Sequence, residues 1–180
     1  SNGVIKNGSK TLTLLEDSFK YEDLKDGKSI AHQLLDLGID LRENAYVQGD
    51  SSIRGWQTID GKKIFESEIY AAETDSLVSV SGYWIFSEKE KGAIKNTPDT
   101  LVDVTGVLID FLNNSLREDN ITIISVELGY STGSAYRDTS HKLVSVSPAY
   151  KISTDSGAYY MYDALSSDFL YAFIGGQVKY

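Results

Sequence analysis

"VSVSPAYKISTDSGAYYMYDALSSDFLYA" (residues 144–172) holds five tyrosines and one proline but no His, no Cys and no closely paired acids. Its alternation reads as strands separated by turns. Val144, Val146, Tyr150 and Ile152 share one face of a first strand. Asp155-Ser156-Gly157 turns the chain into a second strand over 158–164, and Ser166-Ser167-Asp168 turns it into a third. Pro148 lacks a backbone donor, which puts its strand at a sheet edge or breaks it there. On the second strand Tyr160 and Tyr162 face one side, and Tyr159, Met161 and Asp163 the other. A phenol suits a half-buried layer, because the ring packs while the hydroxyl reaches water or a backbone acceptor. Tyrosine is also enriched at protein interfaces. Tyr159, with Met161 and Asp163, is therefore the candidate contact set, and Tyr150 a core residue.

Upstream the pattern alternates between strand and helix. "TLTLLED" (11–17) reads as a strand with Leu12 and Leu14 on one face, followed by a polar linker, "SFKYEDLKDG". In "KSIAHQLLDLGI", Ile30, Leu34 and Leu37 form a helical stripe that Gly38 ends. "NAYVQGD" is a strand, and Asp60-Gly61 marks a hairpin between alternating flanks. "SLVSVSGYWIF" places Val78, Val80 and Trp84 on a buried face. Thr97-Pro98-Asp99 opens a helix over 98–117 with a core stripe of Leu101, Val104, Leu108, Phe111 and Leu112. "ITIISVELGY", "KLVSVSPAYKIST", "AYYMYDA" and "FLYAFIGGQV" then read as four strands. Together these elements predict an α+β protein of two similar lobes, 1–96 and 97–180, each a helix packed on an antiparallel sheet of three to four strands.

"VSPAYKISTDSGAYYMYDALSSDFLYA" resembles the tail of a PepSY-type unit, in which a strand ending in Pro-aromatic pairs with a Y-x-x-D-A strand. "GKKIFESEIYAAETDSLVSVSGYW", followed after a helix by "IISVELGY", is similar to the extracytoplasmic region of the YycI and YycH regulatory proteins. The likeness runs over residues 55–172. Tyr150 stands where the family usually has Trp, and Ser166-Ser167 where it has Thr-Gly. The resemblance implies a membrane-anchored, outward-facing accessory protein without catalysis. Its implied partner is a sensor histidine kinase of a two-component system for cell-wall homeostasis, or a YycH-like protein, in a Gram-positive cell. Ser1-Asn2 without an initiator Met reads as a cleavage scar, which fits an N-terminal transmembrane anchor removed from this chain.

Composition narrows the alternatives. The net charge is −9, from 26 acidic and 17 basic residues, which disfavours nucleic acid and anionic lipid as direct partners. Cysteine is absent, so disulfides and thiolate metal sites are excluded. His32 and His141, the only histidines, lack metal-ligand spacing, and no cofactor motif occurs. Two rival readings remain. Glu66 and Glu68 share a strand face and could serve a hydrolase, although a solvated strand face opposite Phe65 and Ile69 is the favoured account of them. Trp56, Tyr83 and Trp84 could line a cell-surface site for peptide or glycan, but no local spacing brings them to the glutamates.

Overall fold

Asp60 and Gly61 both adopt left-handed backbone, φ 50° and 75°, and so turn β5 (Ser52–Ile59) back on β6 (Lys62–Glu73) in the tight hairpin their sequence predicts. This hairpin belongs to the first of two compact units in a computed structural model that describes residues 3–15, 18–24, 27–84, 100–133 and 146–180. The remaining strands of this unit are β1 (Gly3–Asn7), β2 (Lys10–Leu14), β3 (Phe19–Leu24), β4 (Ala45–Gln48) and β7 (Leu77–Gly82). Their order across the sheet is β1-β2-β3-β7-β6-β5-β4, and each described pairing is antiparallel.

Pairing sorts the side chains of this sheet into two faces. Tyr21, Val80, Ala71 and Ile53 lie in one cross-strand row, and all are buried. They join Phe19, Ile69, Val78 and Trp84 in a core that α1 (Ile30–Asp36) caps with Ile30 and Leu34. Helix α1 begins at Ser29, whose hydroxyl accepts from the His32 amide, and it ends as the sequence indicates. Gly38, at φ 81°, donates its amide to the Leu35 carbonyl, and the Ile39 amide reaches Leu34. That double bond, sealed by the fully buried Leu34 and Ile39, is a Schellman stop.

The second unit holds α2 (Val104–Asn113) and β8 (Ile123–Ser131), β9 (Ser147–Thr154), β10 (Tyr159–Asp163), β11 (Phe169–Ile174) and β12 (Gln177–Lys179), paired in that strand order. Val107 and Phe111 of α2 pack on Ile152, Tyr160, Tyr162 and Ala172. Phe111 meets Tyr160 edge-on, with centroids 5.0 Å apart.

The expected fold class needs correction. Of the described residues, 52% lie in strands and 14% in helices, so the chain is mostly β and not an α+β pair of similar lobes. Among the described residues, seven strands in one unit and five in the other replace the three or four expected of each. Three local misreadings explain the shift. The "linker" after residue 17 contains β3, whose inward Asp23 hid the alternation. Residues 3–7, too short and polar a stretch to show a clear alternation, form β1. "FLYAFIGGQV" is two strands, because Gly175 and Gly176 take φ 58° and 81° and make a hairpin turn.

Helix α2 is also shorter than 98–117. The Asp103 carboxylate caps the Thr105 amide at 2.8 Å and starts the helix there. Residues 97–99, the expected start, lie outside the described residues, as do His141 and Val144. The helix is rotated as well: Val107 and Phe111 centre its buried face, while Leu101, Val104 and Leu112 are exposed. Pro148 does not mark an edge. Strand β9 lies between β8 and β10, and the Pro148 carbonyl accepts from the Ala164 amide at 3.0 Å. Pro148 is the second residue of β9, where a missing donor interrupts little of the ladder.

Candidate functional site

Opposite the core of the first unit, the alternate residues of the same strands build a polar face. Lys20, Ser81, Tyr70 and Arg54 form one row across β3, β7, β6 and β5, and Trp56 pairs with Glu68 beside it. The tertiary structure thus brings an aromatic of the glycan reading to a glutamate of the hydrolase reading. The Trp56 indole donates to Glu68 Oε2 at 3.1 Å, and the Arg54 guanidinium is ion-paired with Glu68 Oε1. Arg54 and Lys63 both lie over the Trp56 ring, at 5.2 and 4.6 Å. Both oxygens of Glu68 are therefore engaged by the protein itself.

Beside this cluster the face sinks into an open cleft of about 300 Å³, lined by Ser18, Glu66, Glu68, Ile69, Tyr70, Ser81, Gly82 and Tyr83. Glu66 and Glu68 do share this face, as their spacing predicts. Tyr83 arrives there because its amide donates to the Glu68 carbonyl at 2.9 Å. Burial, and then the Glu66 charge, push the Tyr83 phenol above its usual range. Trp84 turns the other way into the core, so the three aromatics proposed for a glycan site do not converge. Among the described residues no group of three or more His, Cys, Asp or Glu could hold a metal.

No protein-family model, curated protein or solved structure matches this chain.

The contact set on β10 is arranged differently from its sequence reading. Met161 is fully buried and offers no surface. Asp163 is committed to a turn: its Oδ1 accepts from the amides of Leu165 and Ser166 at 2.7 and 3.1 Å. Tyr159 and Asp163 are both half-buried, and the Tyr159 ring stacks on Phe173 at 5.3 Å with Lys151 Nζ 4.4 Å above it. Its main contacts are thus inside the sheet, along an aromatic row that also contains Tyr171.

Tyr70 stands with Glu66 and Glu68 as strand alternation predicts, whereas Ser18, Ser81, Gly82 and Arg54 are site residues that the sequence reading did not single out. Gly82 alone carried a signal, as a glycine inside a strand pattern, which marks a bulge or a close backbone approach.

Proposed function

We propose that this chain is a non-catalytic protein-interaction module acting on the outer side of a cell membrane, where it modulates a sensor histidine kinase. The observation that carries the interaction reading is the free margin of the first sheet. Val4 and Ile5 on β1 are 60% and 58% exposed, and β1 ends the strand order of that unit among the described residues. An apolar edge strand with unpaired backbone groups is what strand addition by a partner requires. The absence of catalysis is supported by Glu68, whose carboxylate is already held by Arg54 and Trp56. The kinase and the membrane anchor are supported by the YycI- and YycH-like sequence pattern over residues 55–172. No helix among the described residues is long and apolar enough to cross a membrane.

The test is capture of the kinase's outer domain by the wild type and by a Val4→Lys/Ile5→Lys double variant. Both side chains are exposed, so the variant should melt like the wild type and lose capture. Equal capture would overturn the edge reading.

A second reading, a site for a cell-surface peptide or glycan, is favoured by the cleft that joins Tyr83 to the glutamates beside Trp56.

A further inference from the structure

Helix α2 is apolar around more of its circumference than its sheet covers. Val107 and Phe111 are buried in the core, and Leu108 is half-buried beside them. Val104, Leu108 and Leu112 follow one another at four-residue steps, and Ile109 stands a turn before Leu112, so the four make one stripe. Ile109 and Leu112 are 54% and 60% exposed, and Val104 and the preceding Leu101 are exposed with them. An ordinary surface helix turns charged residues to water on this side. A helix whose apolar residues run on past its core stripe has a second surface to cover.

Charge indicates what covers it. From residue 98 to residue 116 the sequence has no Lys or Arg. Asp110, on the flank of the stripe, accepts from the Ser167 hydroxyl at 2.6 Å, and Asp103 caps the Thr105 amide. Both partners are neutral, so neither carboxylate has a countercharge. Just past the helix, Glu118 accepts from the Ser156 hydroxyl at 2.6 Å and Asp119 is exposed. Arg117, the nearest base in sequence, is half-buried. The stripe is thus apolar along its length and acidic around it.

Resting on the interaction-module reading above but using a surface other than β1, we infer that the outer face of α2 docks a basic amphipathic helix of the partner protein. The apolar side of that helix packs along Val104, Leu108, Ile109 and Leu112. Its flanking lysines or arginines meet Asp110 and the carboxylates beyond the helix end. A second copy of this chain would set acid against acid, with no base in α2 to answer it. An anionic lipid surface is repelled for the same reason.

The experiment is an amide NMR titration of the isotope-labelled chain with a leucine–lysine peptide of helical period. A leucine–glutamate peptide of the same period and phosphatidylcholine vesicles are run in parallel. Saturable shifts at the amides of residues 104–113 are expected with the lysine peptide alone, weakening as salt is raised. The double variant Ile109→Gln/Leu112→Gln keeps good helix formers at two exposed positions, so its melting should not change. Its affinity for the lysine peptide should fall about tenfold or more. In Asp110→Asn the affinity should fall about threefold and lose part of its salt dependence. The inference is overturned by equal shifts from the glutamate peptide, by shifts from the vesicles in place of the peptide, by binding that survives the double variant, or by no shift along α2. A dimer in sedimentation that the double variant abolishes would overturn it too, by placing a second copy on this face. The comparison of the two peptides uses the unaltered chain and decides the matter even where the double variant melts low. The β1 capture experiment changes neither Ile109 nor Leu112, so failure of the module reading there is distinct from failure here.

Discussion

The hydroxyl of Tyr150 donates to the backbone carbonyl of Val102 across 3.1 Å, joining β9 to the segment that leads into α2. Tyr162 accepts from the Asn114 side chain at the other end of that helix, at 2.9 Å. Just beyond, the Tyr160 hydroxyl accepts from the Glu118 amide and donates to the Leu116 carbonyl, at 3.2 and 3.3 Å. Three phenols on one sheet face therefore satisfy backbone and side-chain groups at both ends of α2. This explains a tyrosine-rich segment without catalytic residues: phenylalanine would fill the same space and leave those polar groups unmatched.

Tyr160→Phe should cost about 1–3 kcal/mol, because two part-buried hydrogen bonds, to the Leu116 carbonyl and from the Glu118 amide, are lost together. Tyr150→Phe, which breaks a single bond, should cost about 1 kcal/mol. Urea unfolding measures both, and hydrogen exchange at the Glu118 amide should accelerate in the first variant only.

Phe111→Ala should destabilise the second unit by roughly 3–5 kcal/mol, since its ring is fully buried against Tyr160. Leu112→Ala, one residue on and exposed, should stay within about 0.5 kcal/mol of the wild type. A large loss at Leu112 would refute the rotation of α2 described above.

Tyr159→Ala should lower stability by about 1–2 kcal/mol through loss of the Phe173 stack and the Lys151 contact. This departs from a purely surface role, under which thermal melting would not change.

Gly82→Ala should be the most damaging small substitution in the first unit, at about 3 kcal/mol or more, because its Cβ would collide with the Glu68 backbone. Circular dichroism of the variant, followed through urea, gives the answer.

Acid should weaken the first unit through Asp23. Its carboxylate is buried and accepts from the Ser9 hydroxyl at 2.6 Å and from the Tyr21 phenol at 3.0 Å. The Ser9 bond leads in holding its pKa below the usual range, against the opposing effect of burial, with Tyr21 adding to it. A depressed folded pKa contributes stability that is complete above the unfolded value of about 4 and is lost as pH falls through the folded value. The stability gap between wild type and Asp23→Asn should therefore be constant at neutral pH and narrow below about pH 4. A gap that instead widens on acidification would exclude this role for Asp23.

Some of this architecture is legible in short windows of the chain. The Asp60-Gly61 hairpin, α1 with its Gly38 stop, the turn at Asp155-Ser156-Gly157 and the opposed faces of Tyr159 and Tyr160 all follow from turn chemistry and side-chain period, which a few neighbouring residues encode. Other features depend on pairing between distant segments. Asp23 reads as a linker residue until Ser9, 14 positions away, meets it and lets β3 turn a carboxylate inward. The rotation of α2 is ambiguous in a stretch where Val107, Leu108, Ile109, Phe111 and Leu112 are all apolar. It is settled by bonds such as Tyr150 to Val102, 48 residues apart. Glu66 and Glu68 share a face by local geometry, yet only the register of β5 against β6 gives Glu68 to Arg54 and Trp56. Burial on both sides of β10, which hides Met161, is likewise decided by what covers each sheet face. Local period assigns a side chain to a face, and the long-range packing determines whether that face is core, ion pair or cleft.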